Sequence, residues 1–158
     1  EDTMKKLTIL FFFFFSFSVN AGSDLETNFG KALETAKKNN KYVLVDFSGS
    51  DWCGWCIRLD KEVFRQPTFK SYAKEELVLV LLDFPRHKAI GKELEEQNRY
   101  LAKKYGVQGF PTVLILSPEG KVVAKTGYRK GGPNAYVDYI KGTIKKHKVD
   151  RSPTSGTL

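Results

Sequence analysis

Short apolar runs and helical periodicities alternate along most of the 158-residue chain. Four runs rich in β-branched and leucine residues predict β-strands, the first two of them buried: 41–48, 77–83, 112–116 and 121–125. Apolar residues spaced three or four apart predict helices over 24–39, 53–64, 67–75, 90–105 and 133–146. Asp24 is the expected N-cap of the first helix.

The order of these elements predicts the fold class. A strand–helix–strand unit, followed by two hairpin-connected strands and a helix, forms an α/β domain. Its mixed central β-sheet carries helices on both faces. The sequence contains no internal repeat, so we expect one domain over 22–148. The last segment, 149–158, is rich in Ser, Thr, Pro and Gly and is expected to be a disordered tail.

The first segment has the pattern of a secretory signal. Met4 is followed by two lysines, an apolar stretch over 7–19 and small residues before Ala21. The apolar stretch is shorter than the ~20 residues that span a bilayer, although an uncleaved signal would act as an anchor. We therefore expect a signal peptide over 1–21, with residues 1–3 before Met4 non-native.

Composition and charge exclude some functions. The formal net charge is +8, but the lysines are spread over several segments and are not interleaved with stacking aromatic residues. This distribution favours a solvated surface over a nucleic-acid interface, and a weak surface contact would lie in the lysine-rich segment 141–148. His87 and His147 lack ligand spacing, so we expect no metal site and no cofactor.

The chain has two cysteines, Cys53 and Cys56, in one CxxC motif at the junction between a strand and a helix. A bridge between them closes a very small loop and constrains the unfolded chain little. A helix N-terminus lowers a thiol pKa below its usual ~8.5. Cys53 could then attack a disulfide, and Cys56, one turn later, could displace the product. Half of a zinc site, a copper(I) site and an inert structural pair remain alternatives.

Two stretches, VLVDFSGSDWCGWC and YGVQGFPTVLILSPEGKVV, resemble the thioredoxin superfamily, and the resemblance covers about residues 24–147. Within it, the chain is similar to exported bacterial thiol:disulfide interchange proteins of the DsbH and DsbD C-terminal-domain type. The resemblance implies a thioredoxin fold and a monomeric periplasmic thiol–disulfide oxidoreductase. Its partners would be protein or peptide disulfides and a membrane thiol-reducing donor.

The resemblance also implies roles for individual residues. Cys53 would be the nucleophile and Cys56 the resolving thiol. Pro111 would be a cis-proline facing the disulfide, and Asp46 a buried proton acceptor beneath Cys56. Four further residues are expected to contact substrate: Trp52, Gly54, Trp55 and Phe110. Simple packing would explain Trp55 equally well.

The chain departs from the thioredoxin pattern in several places. The segment between Asp46 and Cys53 is one residue longer, and the connection before Pro111 is also longer. Leu79 stands where the family carries a lysine near the buried acid. The dipeptide between the cysteines, Gly-Trp, brings no titrating group, whereas strong oxidants depend on a stabilised thiolate. We therefore expect a reductase, with an oxidase or isomerase, or a non-enzymatic copper-handling or client-binding module, as alternatives.

Overall fold

The computed structural model describes residues 25–152. The helices are α1 (Phe29–Asn39), α2 (Gly54–Leu59), α3 (Pro67–Glu76), α4 (Lys92–Lys104) and α5 (Gly132–Asp150). The strands are β1 (Tyr42–Ser48), β2 (Leu77–Asp83), β3 (Thr112–Leu116) and β4 (Val122–Thr126). The predicted signal peptide and the residues from 153 onward lie outside this range. Among the helices between residues 25 and 152, none is long and apolar enough to cross a bilayer.

The strands form a mixed sheet in the order β2-β1-β3-β4. β1 runs parallel to β2 and antiparallel to β3, and β3 runs antiparallel to β4. The central strand β1 is buried along its whole length, as its continuous apolar run predicts. The predicted α/β architecture is confirmed.

Helices cover both faces of the sheet, so the apolar core has two layers. On one face, α1 and α4 pack against alternate residues of the central strand, Val43, Val45 and Phe47. On the other face, α2, α3 and α5 pack against Tyr42 and Leu44. Side chains alternate along a strand, so Asp46 lies on the same face as Leu44 and under the helix that carries the cysteines.

The ends of two helices differ from the prediction. α1 begins at Phe29, where the Asn28 side chain accepts a hydrogen bond from the Lys31 amide at 2.9 Å. Asp24, the expected cap, lies outside the described residues. The chain before α1 is extended, because the backbone of Glu26 pairs with the edge of β2. At the other end, α5 continues to Asp150, so the expected tail begins too early at 149.

The helix after the CxxC motif is also not uniform. α2 ends at Leu59 and continues as a π-helical turn over Asp60–Phe64. Within this wider turn Val63 is fully buried in the core, while Asp60 lines a cavity beside the motif. Single π-helical turns inside helices are frequent at functional sites.

Candidate active site

The two cysteines occupy different positions at the start of α2. Cys53 is the N-cap residue, and its Sγ accepts a hydrogen bond from the Cys56 amide at 3.2 Å. The pair is joined by a disulfide, with Cα atoms 5.2 Å apart. Cys53 is 7% exposed and Cys56 is 1% exposed. Cys53 is therefore the more accessible of the two cysteines, and its sulfur lies at the N-terminus of α2, where backbone amides lack intrahelical acceptors.

A tight turn connects β1 to α2. The Cys53 amide donates to the Gly49 carbonyl at 2.9 Å. A Cβ at Gly49 would lie 2.6 Å from Cε2 of Trp52, so the indole needs a glycine there. The same indole donates from Nε1 to the Phe84 carbonyl at 2.7 Å. Trp52 thus flanks Cys53 and connects this turn to the chain that follows β2.

A second set of hydrogen bonds joins this turn to the end of β2. The buried Asp83 carboxylate accepts from the Ser50 amide at 2.9 Å and from Ser50 Oγ at 2.6 Å. Lys88 forms an ion pair with the same carboxylate at 3.0 Å. Burial raises the pKa of Asp83, but the hydrogen bonds from Ser50 and the Lys88 contact outweigh it and leave the pKa below its ordinary value. Asp83 is therefore a charged anchor for the turn.

Asp46 is buried and lies beside the same cavity as Cys56. Its side chain is 7% exposed, and within residues 25–152 its Oδ1 has no hydrogen-bond partner. Asp46 and Cys56 line the same cavity of about 450 Å³, together with Leu79. Burial, together with smaller contributions from the charges of Asp60 and Asp83, raises the pKa of Asp46 from 3.8 to about 7. A carboxyl with this pKa can exchange a proton near neutrality.

Pro111 lies at the start of β3, next to the end of β1 that leads to the motif. The Phe110–Pro111 peptide bond is cis, the conformation that the resemblance implies. The Phe110 ring makes an edge contact with Trp52, with centroids 6.0 Å apart. It also packs on Phe84 at 4.9 Å. The structure thus brings Phe110 and Trp52 together, while substrate contact by these residues stays a prediction.

Trp55 lies on the other side of the motif and is 54% exposed. Its ring packs against Tyr128, with centroids 5.1 Å apart, and the Arg58 guanidinium lies 5.5 Å from it. Glu62 accepts hydrogen bonds from Tyr128 at 2.6 Å and from Arg58 at 2.7 Å. The indole is therefore both exposed and packed on one side.

A Cβ at Gly54 would meet no atom within 4 Å, so this position opens directly to solvent.

The sequence did not indicate three residues that surround the motif: Phe84, Arg86 and Tyr128. They come from loops distant in the chain, and nothing in the sequence near them indicates which side chain they pack against. Within the described range, no group of three or more His, Cys, Asp or Glu residues could hold a metal ion.

Comparison with known proteins agrees with this geometry. The family model of the thioredoxin-like domain matches residues 29–141. The disulfide bond reductase DsbH of Chlamydia pneumoniae is 36% identical over 118 residues, which cover 75% of this chain and 71% of that protein. A solved structure of a DsbH oxidoreductase superposes with a TM-score of 0.73 at 35% identity, covering 79% of this chain and 88% of the other.

A more distant structure shares the fold. The reduced C-terminal domain of DsbD from Neisseria meningitidis has a TM-score of 0.55 at 20% identity and covers 72% of this chain and 92% of its own. The thioredoxin fold and the predicted resemblance are confirmed. The chain belongs to the thioredoxin-like domain family and is a thiol–disulfide oxidoreductase with a single CxxC pair.

Proposed function

We propose that this domain is a monomeric periplasmic reductase of protein or peptide disulfides, with Cys53 as nucleophile, Cys56 as resolving thiol and Asp46 as proton acceptor. The observation that carries the proposal is the asymmetry of the pair. Cys53 Sγ caps α2 and belongs to the more exposed cysteine, whereas Cys56 is more deeply buried and lines a cavity with Asp46.

The reaction begins with the reduced pair. The Cys53 thiolate attacks one sulfur of the substrate disulfide, and the other sulfur leaves as a thiolate that takes a proton from solvent. This step leaves a mixed disulfide between Cys53 and the substrate. The Asp46 carboxylate then accepts the proton of the Cys56 thiol. The Cys56 thiolate attacks Cys53 Sγ, and the second substrate sulfur leaves as a thiolate that takes a proton from solvent, while Asp46 returns its proton to solvent.

Two electrons have then passed from the protein dithiol to the substrate. The protein ends with the Cys53–Cys56 disulfide that the structure contains. A further turnover needs a dithiol donor, which we propose is a membrane protein that regenerates the reduced pair. Proline at 111 and the aromatic residues around it would hold the substrate chain beside the sulfurs.

Two observations support the reducing direction, and one sequence prediction supports the periplasm. The Gly-Trp dipeptide places no titrating side chain between the cysteines, so nothing there strongly stabilises a thiolate. The relative from Chlamydia pneumoniae is named a disulfide bond reductase. The export signal predicted over 1–21 supports the location.

Redox equilibration with glutathione tests the direction. We expect a potential near that of thioredoxin, about −270 mV, whereas a value near −120 mV would identify an oxidant. In an insulin reduction assay, Cys53→Ser should abolish turnover. Cys56→Ser should instead accumulate a mixed disulfide on Cys53, visible by mass spectrometry. Stoichiometric copper(I) binding by a protein that reduces no disulfide would refute the proposal.

A further inference from the structure

The loop that follows β2, residues 84–88, is held against the turn before Cys53. Asp51 accepts hydrogen bonds from the backbone amides of Arg86 at 3.0 Å and His87 at 2.8 Å. The Trp52 indole also donates to the Phe84 carbonyl, and Ser50 donates to Asp83 just before the loop. The loop is therefore held at its start and at its middle. The backbone of Arg86 therefore has a defined position relative to the nucleophile.

The Arg86 side chain is ordered as well. Its guanidinium carbon lies 3.7 Å from the centroid of the Trp52 ring, which is a close cation–π contact. Trp52 directly precedes Cys53 in the chain. The guanidinium is thus stacked on the residue that flanks the reactive sulfur, although Arg86 is exposed to solvent.

The charge of Arg86 has no acidic partner. Across residues 25–152 it forms no ion pair, and Asp51 is hydrogen-bonded to backbone amides of the same loop. Arg58, on the opposite side of the motif, is different. It also lies over aromatic rings, but its Nε donates to Glu62. Of these two arginines beside the motif, Arg86 is therefore the one whose guanidinium forms no ion pair within residues 25–152.

We propose that Arg86, stacked on Trp52, forms a carboxylate-binding subsite that selects disulfide substrates with an acidic side chain beside the cysteine that Cys53 attacks. This inference rests on the proposed function. A guanidinium presents a planar fork of N–H donors that matches a carboxylate in two parallel hydrogen bonds. Because the tryptophan already orders the side chain, little further rotamer freedom is lost when a substrate binds.

Two peptides test the subsite. Both contain one intramolecular disulfide and differ only in the residues beside the cysteines, which are glutamate in one and lysine in the other. The reduced protein should react faster with the glutamate peptide, as followed by chromatography of the peptide. Arg86→Ala should slow that reaction by about threefold to fivefold and should not slow reduction of the lysine peptide, because it removes a like charge there. Arg86→Glu should reverse the preference.

Two further variants separate the subsite from other effects. Arg86→Lys keeps the charge and loses the fork, so it should retain part of the preference. Lys146→Glu makes the same charge change as Arg86→Glu, but far from the motif. Its neighbour His147 contacts Tyr42, where β1 begins, so Lys146 lies at the opposite end of the sheet. This control should leave the preference intact. Thermal melts of each variant confirm folding before kinetics.

The outcomes divide clearly. Loss of preference in Arg86→Ala, with exchange retained on both peptides, supports the subsite. A wild-type protein that reduces both peptides at the same rate overturns it. So does a uniform slowing of both peptides in the Arg86 variants, which would indicate a purely structural role. If the wild type reduces neither peptide, the proposed function itself fails, and the subsite fails with it.

Discussion

Replacing Asp46 with asparagine separates a catalytic carboxyl from a merely structural one. In the folded protein, burial raises the pKa of Asp46 from 3.8 to about 7, with smaller contributions from Asp60 and Asp83. In the unfolded chain the carboxyl is solvated and titrates near its ordinary value. The folded state therefore holds this proton more tightly than the unfolded state does.

The sign of the effect on stability follows directly. The protonated carboxyl contributes stability that is fully present below pH 3.8 and is lost as the pH rises through about 7. One pKa unit corresponds to 1.36 kcal/mol, so the shift from 3.8 to about 7 amounts to about 4 kcal/mol. An asparagine at this position stays neutral at every pH. Asp46→Asn should therefore match the wild type near pH 4 and be up to about 4 kcal/mol more stable at pH 8.

Urea unfolding of the oxidised proteins, followed by circular dichroism between pH 4 and pH 8.5, measures this difference. The control Asp138→Asn removes the same charge from an exposed site on α5, and its stability curve should run parallel to that of the wild type.

The same Asp46 variant should resolve the mixed disulfide about 10²-fold more slowly at neutral pH, because it lacks the proton acceptor. Parallel stability curves for Asp46→Asn and the wild type, or an undiminished rate, would refute the reasoning.

Two substitutions test how the turn before the motif is held. Gly49→Ala should destabilise the protein by about 1–3 kcal/mol in urea unfolding, because the added Cβ meets the Trp52 indole at 2.6 Å. Gly54→Ala is the matched control and should change stability by less than about 1 kcal/mol, since no atom lies within 4 Å of the added Cβ. An equal loss of stability in the two variants would exclude the clash with Trp52. Ser50→Ala removes the 2.6 Å hydrogen bond to the buried Asp83 carboxylate and should cost about 1.5–3 kcal/mol at pH 7. The stability difference between Ser50→Ala and the wild type should shrink as the pH falls below 3.8. There Asp83 becomes protonated first in the unfolded chain and then in the folded protein. A loss that does not depend on pH would contradict a charged Asp83.

Periodicity predicted most of this fold because each strand and helix has a buried face. The strands β2 and β3 match the predicted ranges, 77–83 and 112–116, since continuous apolar runs end abruptly at polar residues. The pairing of Glu26 with β2 was missed, because an isolated bridge has backbone hydrogen bonds and no side-chain pattern. The π-helical turn after Leu59 was missed for a similar reason: its apolar spacing still fits an ordinary helix.

The candidate site was predictable where its chemistry is local. Cys53, Cys56 and the junction that positions them follow from a motif and a strand-to-helix transition. The contact of Trp52 with Arg86 was not predictable from the sequence. Arg86 is positioned by a hydrogen bond from its backbone amide to Asp51, not by its side chain. A backbone donor exists at almost every residue, so the sequence carries no sign of which one Asp51 binds.

The departures from the thioredoxin pattern have one structural explanation. The extra residue between Asp46 and Cys53 falls in the turn after β1, and it does not shift the acid, because strand alternation fixes Asp46 on the face beneath α2. The longer turn has two polar residues: Ser50 binds Asp83 at the end of β2, and Asp51 binds backbone amides of the loop after it. The connection to Pro111 begins with that loop. The turn and the start of the connection are therefore in contact beside Cys53.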